Sequence, residues 1–332
     1  METPLNTAFQ HLFAVLSLSL SIGAAYAQDN CPHRGDLDAL YCDANKDMVA
    51  DTPTDPQKLK NPNTLVFTYA PVEDPAVYEN IFKPFTEHLA QCTGKRVAYF
   101  QVQSNAAQIE AMRAGRLHVA NFSAGPTNFA VNIAGAVPFA MRGEGGQLDG
   151  YNLIVVVKKS SPYQKLTDLK GKKVAHTSPS SNSGHLAPLA LFPKEGLTPG
   201  KDYSIQFSGK HDQSAIGVQT GDYDAAAVAS DVYDRLVRSG RIKGEDMRVI
   251  FRTEKFPSGP FAYAHDLAPN LAQKIKECFF NFTYPEAMRK AMDNADRFLP
   301  IDYKKDWALV REVAQAAGEK FTREAYEKQQ KK

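Results

Sequence analysis

His176-Thr177-Ser178-Pro179-Ser180-Ser181-Asn182-Ser183-Gly184-His185-Leu186-Ala187-Pro188 is the segment from which the rest of the chain can be ordered. The apolar pair Val174-Ala175 ahead of it reads as a strand end, and Leu186 to Phe192 behind it as the opening of a buried helix. A hydroxyl-rich turn that feeds a helix gathers unpaired main-chain N–H groups, side-chain donors and the positive end of the helix dipole at one point. Such a point receives an anion. Ser and Asn also cap ordinary helices, but four Ser, one Thr and one Asn between Thr177 and Ser183 exceed what one cap uses.

On both sides of this segment extended and helical patterns alternate. Upstream, Leu65 to Tyr69 is extended, Val77, Ile81, Phe85 and Leu89 recur at helical spacing, Val97 to Val102 is extended, Ala106 to Ala114 is helical and Leu117 to Phe122 is extended. Downstream, Tyr203 to Phe207 is extended, His211 to Thr220 helical, Ala225 to Ala229 extended, Val232 to Val237 helical and Met247 to Phe251 extended. Two β-α-β-α-β series predict two α/β lobes with parallel strands. The apolar run Tyr151 to Val157 and the segment Phe256 to Tyr263 are the expected crossings between them. The expected layout is residues 64–157 with 258–332 for the first lobe and 158–257 for the second. Helices at Leu271 to Phe280 and Trp307 to Ala317 should cover the first lobe, and the charged end from Lys320 to Lys332 reads as a solvated, partly frayed tail.

Residues 1–27 read as a secretory signal peptide. Leu12 to Ala25 is apolar but too short to span a bilayer, and Ala25-Tyr26-Ala27 fits a cleavage site, although Glu2 is the only charged side chain among Lys, Arg, Asp and Glu in this stretch. Its removal takes away that single negative charge, so the formal net charge of +2 becomes +3. A balance this close to neutral points to neither nucleic acid nor a lipid surface. Residues 28–63 are polar and Pro-rich and are expected to drape over the first lobe as an extension. In an exported chain four cysteines favour disulfides, with Cys31 and Cys42 the preferred pair and Cys92 and Cys278 either a second bridge or two buried thiols. Asp43-Ala44-Asn45-Lys46-Asp47 with Asp51 and Asp55 spaces oxygen ligands as a calcium loop does, but Met48 stands where the sharp-turn glycine belongs, so a solvated acidic turn is the better reading. No zinc spacing, nucleotide loop, nucleophile elbow or other cofactor motif is present, and no metal or cofactor is expected.

Ligands of α/β sheets gather at the carboxyl ends of strands. That rule nominates Tyr69, Ser104 and Asn105, Phe122 and Ser123, the serine turn, Ser208 to Asp212, and Ser230-Asp231. Ser178, Ser181, Asn182 and Ser183 are the expected donors, and His211 adds a donor or a positive charge. A carboxylate at Asp231 repels a fully ionised ligand yet accepts a hydrogen bond from a protonated oxygen, which disfavours sulfate and favours a singly protonated phosphorus acid.

Leu166-Thr167-Asp168-Leu169-Lys170-Gly171-Lys172-Lys173-Val174-Ala175 resembles the LxDLKGKxVA segment of type II periplasmic binding proteins, and SPSSNSGHLAP after it resembles the serine motif of the phosphonate, phosphite and phosphate receptors of ABC importers. The likeness runs from about Leu65 to about Trp307. It implies two α/β lobes joined by two crossover strands around a cleft, a periplasmic location, a small phosphorus oxyanion as ligand, an inner-membrane ABC permease as partner and no catalysis; a monomer is expected. It also implies that Ser181, Asn182 and Ser183 hold the phosphoryl oxygens, that His211 assists, that Asp231 is the acidic contact, and that Phe122 and Ser123 line the first-lobe wall, where the strand-end rule alone adds Tyr69 and Asn105. Relatives that take aminoalkylphosphonates have an acid where Gly259 stands and a tyrosine near Asn105, so phosphite or methylphosphonate is the expected ligand. The alternatives are an oxyanion receptor, including one for arsenic oxyanions, serving a sensor kinase or chemoreceptor, and more remotely a secreted hydrolase.

Overall fold

The computed structural model describes residues 31–330, so the expected signal segment lies outside the described residues. The first lobe opens with β1 (Thr64–Thr68), α1 (Pro75–Thr93), β2 (Arg96–Tyr99), α2 (Asn105–Arg113), β3 (Val119–Asn121), α3 (Ala124–Ala134), β4 (Ala136–Glu144) and the short β5 (Gln147–Leu148). Asp74 starts α1 by accepting the Ala76 N–H, Pro75 supplies its first position, and Gly94 ends it in the left-handed conformation at φ 68°. Tyr78, Phe82, Phe85 and Leu89 form its buried face. Val77 and Ile81, which the spacing places on that face, are half-buried at its edge.

The chain then crosses to the second lobe through β6 (Gly150–Tyr151) and runs β7 (Leu153–Lys158), β8 (Lys173–His176), α4 (Ala187–Leu191), β9 (Ser204–Phe207), α5 (His211–Thr220), β10 (Ala225–Ala229), α6 (Ser230–Arg238) and β11 (Met247–Arg252). It returns through β12 (Phe256–Pro257), which pairs antiparallel with β6, so the two crossings lie side by side. The first lobe is completed by β13 (Phe261–Ala264), α7 (Pro269–Phe280), α8 (Glu286–Ala291), β14 (Arg297–Pro300), α9 (Tyr303–Asp306), α10 (Ala308–Ala316) and α11 (Arg323–Gln330).

The first sheet has the order β14-β4-β13-β3-β1-β2, with β5 beside β4, and the second the order β11-β7-β10-β8-β9. β1 is parallel to β2 and β3, while the returning β13 is antiparallel to β3 and β4, so the sheet is mixed rather than purely parallel. Residues 153–157, assigned to the first lobe from sequence, belong to β7 inside the second sheet, where an uninterrupted Leu153–Val157 run is buried on both faces. Rings of Phe67, Phe82, Phe85, Phe261, Phe279 and Phe298 fill the first lobe and pack mostly edge-on or tilted.

Two expectations about the C-terminal segment are corrected. The helix begun near Trp307 packs against α3 but also against α4 and the turn ahead of it, so it touches both lobes. The tail after Lys320 is packed rather than simply solvated over α11, which buries Tyr326, whose hydroxyl donates to the Ala106 carbonyl, and pairs Arg323 with Asp38 at 2.7 Å. Asp38 belongs to the N-terminal extension, which is closed by the Cys31–Cys42 disulfide and held to α3 by the Asp38 N–H on the Asn132 carbonyl. Of its acidic residues Asp43 is buried, its carboxylate accepting the N–H groups of Asp47 and Met48, and half-buried Asp51 accepts that of Ala44, while Asp36, Asp47 and Asp55 stay exposed. A second disulfide, Cys92–Cys278, ties α1 to α7.

Candidate functional site

The C-terminal ends of β1 and β3 and those of β8 and β10 face one another across the crossings, so the loops after them meet. The resulting cavity of about 50 Å³ is lined on one side by Tyr69, Ser123 and Arg142 and on the other by Ser181, Asn182, Ser183, His211 and Asp231. One buried water needs about 10–15 Å³ of such space, so the volume suits a small oxoacid rather than a nucleotide or sugar.

The serine turn enters its helix through a π-type turn over Asn182–Leu186, in which Leu186 N–H reaches the Ser181 carbonyl at 2.9 Å. Ser181 is the cap, its Oγ accepting the Gly184 N–H at 3.1 Å, which leaves its hydroxyl proton for another acceptor. Asn182 donates from Nδ2 to the Tyr151 hydroxyl at 3.0 Å while its Oδ1 is buried without a partner. As opening residues of the turn, Asn182 and Ser183 present main-chain N–H groups with no earlier carbonyl of that turn to bond. Three longer helices also begin at the cavity: α3 after Ser123, α5 at His211 and α6 at Ser230. Their dipoles place partial positive charge at the same point.

His211 is a neutral donor, not a cation. Its Nδ1 accepts the Ala229 N–H at 3.1 Å, which places the proton on Nε2, and burial lowers its pKa to about 4. Tyr69 stacks on Tyr78 and Phe82 at 4.3 and 4.8 Å, and burial raises the pKa of its hydroxyl. Arg142 is buried at 2% exposure, with Nη2 2.8 Å from Asp149 Oδ2 and 3.8 Å from Asp231 Oδ2. Burial works against its charge, but Tyr69, Asp149 and Asp231 outweigh that and raise its pKa.

Residues 67–307, more than half of the chain, match the family described as "ABC transporter, phosphonate, periplasmic substrate-binding protein". The chain belongs to this phosphonate-binding family. Over 232 residues it is 28% identical to the Phosphate-import protein PhnD of Mycolicibacterium smegmatis, covering 66% of this chain and 71% of that one. Over 204 residues it is 26% identical to the Phosphonates-binding periplasmic protein of Escherichia coli, covering 60% of each. In fold it is similar to PhnD1 of Prochlorococcus marinus, solved in complex with methylphosphonate, with a TM-score of 0.69 at 20% identity over 78% of this chain and 99% of that one. The two α/β lobes are thus those of a type II periplasmic binding protein, and no helix among the described residues is long and apolar enough to cross a membrane.

In this member of the phosphonate-binding family, the structure brings together Tyr69, Ser123, Ser181, Asn182, Ser183, His211 and Asp231. Among the nominated residues, Phe122, Asn105 and Ser178 do not line the cavity, nor do Ser104, Ser208 and Ser230. Phe122 is wholly buried in the first-lobe core because β3 is covered on both faces; Asn105 is the acceptor for the Ser123 hydroxyl at 3.2 Å; and Ser178 is spent on the turn, its carbonyl accepting the Ser181 N–H. Ser104 caps α2 by accepting the Ala107 N–H. Gly259 does line the cavity, but a Cβ there would come 2.0 Å from the Phe122 carbonyl oxygen, so no acid fits at that position without moving the backbone. Sequence reading missed Arg142, Tyr151 and Ser258. The signal for Arg142 was a single guanidinium ending the otherwise apolar run Ala136 to Met141.

Proposed function

We propose that this chain captures a small, singly protonated phosphorus oxoacid, phosphite or methylphosphonate, by closure of its lobes and delivers it to an ABC permease without turning it over. The observation that carries this reading is the convergence of the serine turn and the starts of α3, α5 and α6 on one small cavity that also holds Asp231, whose Oδ1 is buried without a partner. Fixed dipoles and hydroxyls replace the water an anion loses on burial. An unpartnered carboxylate oxygen beside them calls for a ligand hydroxyl, which sulfate lacks near neutral pH. Val72, Val232 and Ala124 in the wall accommodate a P–H or P–CH₃ group, and the backbone contact at Gly259 supports a substituent without an ammonium. Closure is supported by bonds already made between the lobes, among them the His211 N–H on the Val72 carbonyl at 3.1 Å.

The test is titration calorimetry of the mature protein against phosphite, methylphosphonate, phosphate, 2-aminoethylphosphonate, sulfate and arsenite. Binding of phosphite or methylphosphonate at least tenfold tighter than of the others, with no change in the recovered ligand, is expected. Tight 2-aminoethylphosphonate binding with none of phosphite would overturn the choice of ligand.

A further inference from the structure

Arg142 ends an apolar run on β4 and is, among the described residues, the one cationic side chain in a cavity wall otherwise built of neutral donors, helix ends and the Asp231 carboxylate. Its partners account for only part of it. Nη2 lies 2.8 Å from Asp149 Oδ2 as an ion pair that does not make a hydrogen bond to that oxygen, while the other Asp149 oxygen is fixed by the Gly150 N–H at 2.7 Å. Asp231, on the opposite lobe, stays 3.8 Å away, beyond hydrogen-bonding distance. Nε and Nη1 are buried, in a residue that lines the cavity, without any acceptor. A guanidinium kept only to neutralise Asp149 would present its fork bidentately; here one nitrogen is engaged and the adjoining edge is left over. Buried donors of a charged group are costly to leave unmatched. On the facing lobe, the Asp231 carboxylate has the complementary need, an acceptor without a donor.

We propose that Arg142 is a ligand-binding residue whose Nε–Nη1 edge donates to the ionised oxygens of the bound oxoacid, while Asp149 fixes the guanidinium and Asp231 takes the ligand's hydroxyl from the other side. This deepens the oxyanion reading and rests on it. The pair sorts ligands by oxygen type: one side demands ionised oxygens and the other a protonated one. A singly ionised acid with a hydroxyl satisfies both, a phosphinate without a hydroxyl only Arg142, and a neutral ester neither. Since β4 belongs to the first lobe and α6 to the second, a ligand held by both residues bridges the lobes.

The experiment is calorimetry with methylphosphonate on the wild-type protein, Arg142→Gln, Arg142→Lys, Asp149→Asn and the double variant Arg142→Gln/Asp149→Asn, each first shown to melt cooperatively. Arg142→Gln should weaken binding roughly 10- to 150-fold, and Arg142→Lys roughly tenfold, because the charge stays and the fork is lost. Asp149→Asn should weaken binding by a smaller factor that disappears in the Arg142→Gln background, a non-additivity that a purely structural aspartate would not show. Wild-type affinity in folded Arg142→Gln overturns the proposal. If that variant does not fold, wild-type affinity in Arg142→Lys does the same. A wild-type protein that binds neither phosphite nor methylphosphonate removes the oxyanion reading and this inference together, whereas tight wild-type binding that all variants retain removes only the role of Arg142.

Discussion

Arg235 on α6 of the second lobe reaches Glu73 in the loop after β1 of the first, with Nε 2.6 Å from Oε1. Around this bond the Tyr78 hydroxyl donates to the same carboxylate oxygen at 2.7 Å, Arg235 Nη2 donates to the Tyr78 hydroxyl at 3.0 Å, and Asp293 takes both Arg235 and Arg238. Glu73 is 3% and Arg235 11% exposed at the side chain, so the pair is screened from water. None of these side chains lines the ligand cavity, although Tyr69, which packs against Tyr78, does. If ligand is captured by lobe closure as proposed, the network bears on how closed the protein is rather than on what it binds. Arg235→Ala leaves Glu73 buried in the closed form with only the Tyr78 hydroxyl and Arg241, 3.7 Å away, to match its charge, but free to hydrate in an open one. Ligand affinity should fall by about 1–3 kcal/mol, equally for phosphite and methylphosphonate, and small-angle scattering of the ligand-free variant should show a more extended particle. A change in the ratio of the two affinities would contradict a pure closure effect.

Gly125 makes a second closure prediction on steric grounds alone. It opens α3 in the first lobe, and a Cβ added there would lie 2.2 Å from the Ser180 carbonyl oxygen in the second. Both atoms belong to, or are bonded directly to, main chain, so neither can swing aside as a side-chain tip does. Gly125→Ala should retain a wild-type melting temperature without ligand, since the lobes can part, and lose most of the melting-temperature rise that ligand confers. A ligand-free protein destabilised as much as the bound one would place the clash inside a lobe instead.

The legibility of the sequence followed the reach of the interactions. β10 and α5 begin and end where the apolar run Ala225–Ala229 and the His211–Thr220 pattern place them, because those periodicities report burial in a local frame. The serine turn was legible because its donors are consecutive. Arg142 was not, since its partners Asp149 and Asp231 come from a crossing and from the other lobe, and no spacing along the chain encodes that meeting. α11 was misread for the same reason: its Lys- and Glu-rich composition is that of a free tail, and only the pocket between α2 and α3 explains why Tyr326 is buried. Phe122 and Ser123 are adjacent in sequence, yet one faces the core and the other the cavity, since the chain turns from β3 into α3 between them.

Asp231 sets a prediction about discrimination rather than affinity. On the proposed reading, its unpartnered Oδ1 would accept from a ligand hydroxyl and repel an unprotonated oxygen. In Asp231→Asn the amide can turn its NH₂ toward the ligand, which removes the repulsion and supplies a donor. Sulfate binding should strengthen at least tenfold relative to methylphosphonate. Competition calorimetry with both anions checks this, and an unchanged sulfate-to-methylphosphonate ratio would show that Asp231 does not select.

Of the four imidazoles whose pKa burial lowers, His118, His176, His211 and His265, two show the large shifts that dominate the response to acid. His176 places Nε2 2.7 Å from the Tyr203 hydroxyl and Nδ1 2.8 Å from the Nδ1 of His185, and burial, with the neighbouring His185, lowers its pKa to about 3. His211, tied to the Ala229 N–H, is lowered to about 4 by burial. Both are neutral when folded, and in the unfolded chain each takes up a proton near its ordinary value of about 6.5. Between about pH 6.5 and 4 the unfolded state thus binds more protons than the native one, and stability rises with pH across that window. Above it the two groups add no pH dependence; on acidification the loss approaches a few kcal/mol for each. Carboxylates titrate mainly below pH 5, so the interval from 6.5 to 5 isolates the histidines. Thermal melts in that interval should show a falling midpoint for the wild-type protein and a flatter profile for His176→Gln/His211→Gln, with the variant less stable at pH 7.5, where the native imidazoles make their bonds at no protonation cost. Parallel profiles for the two proteins would assign the acid sensitivity to groups other than these.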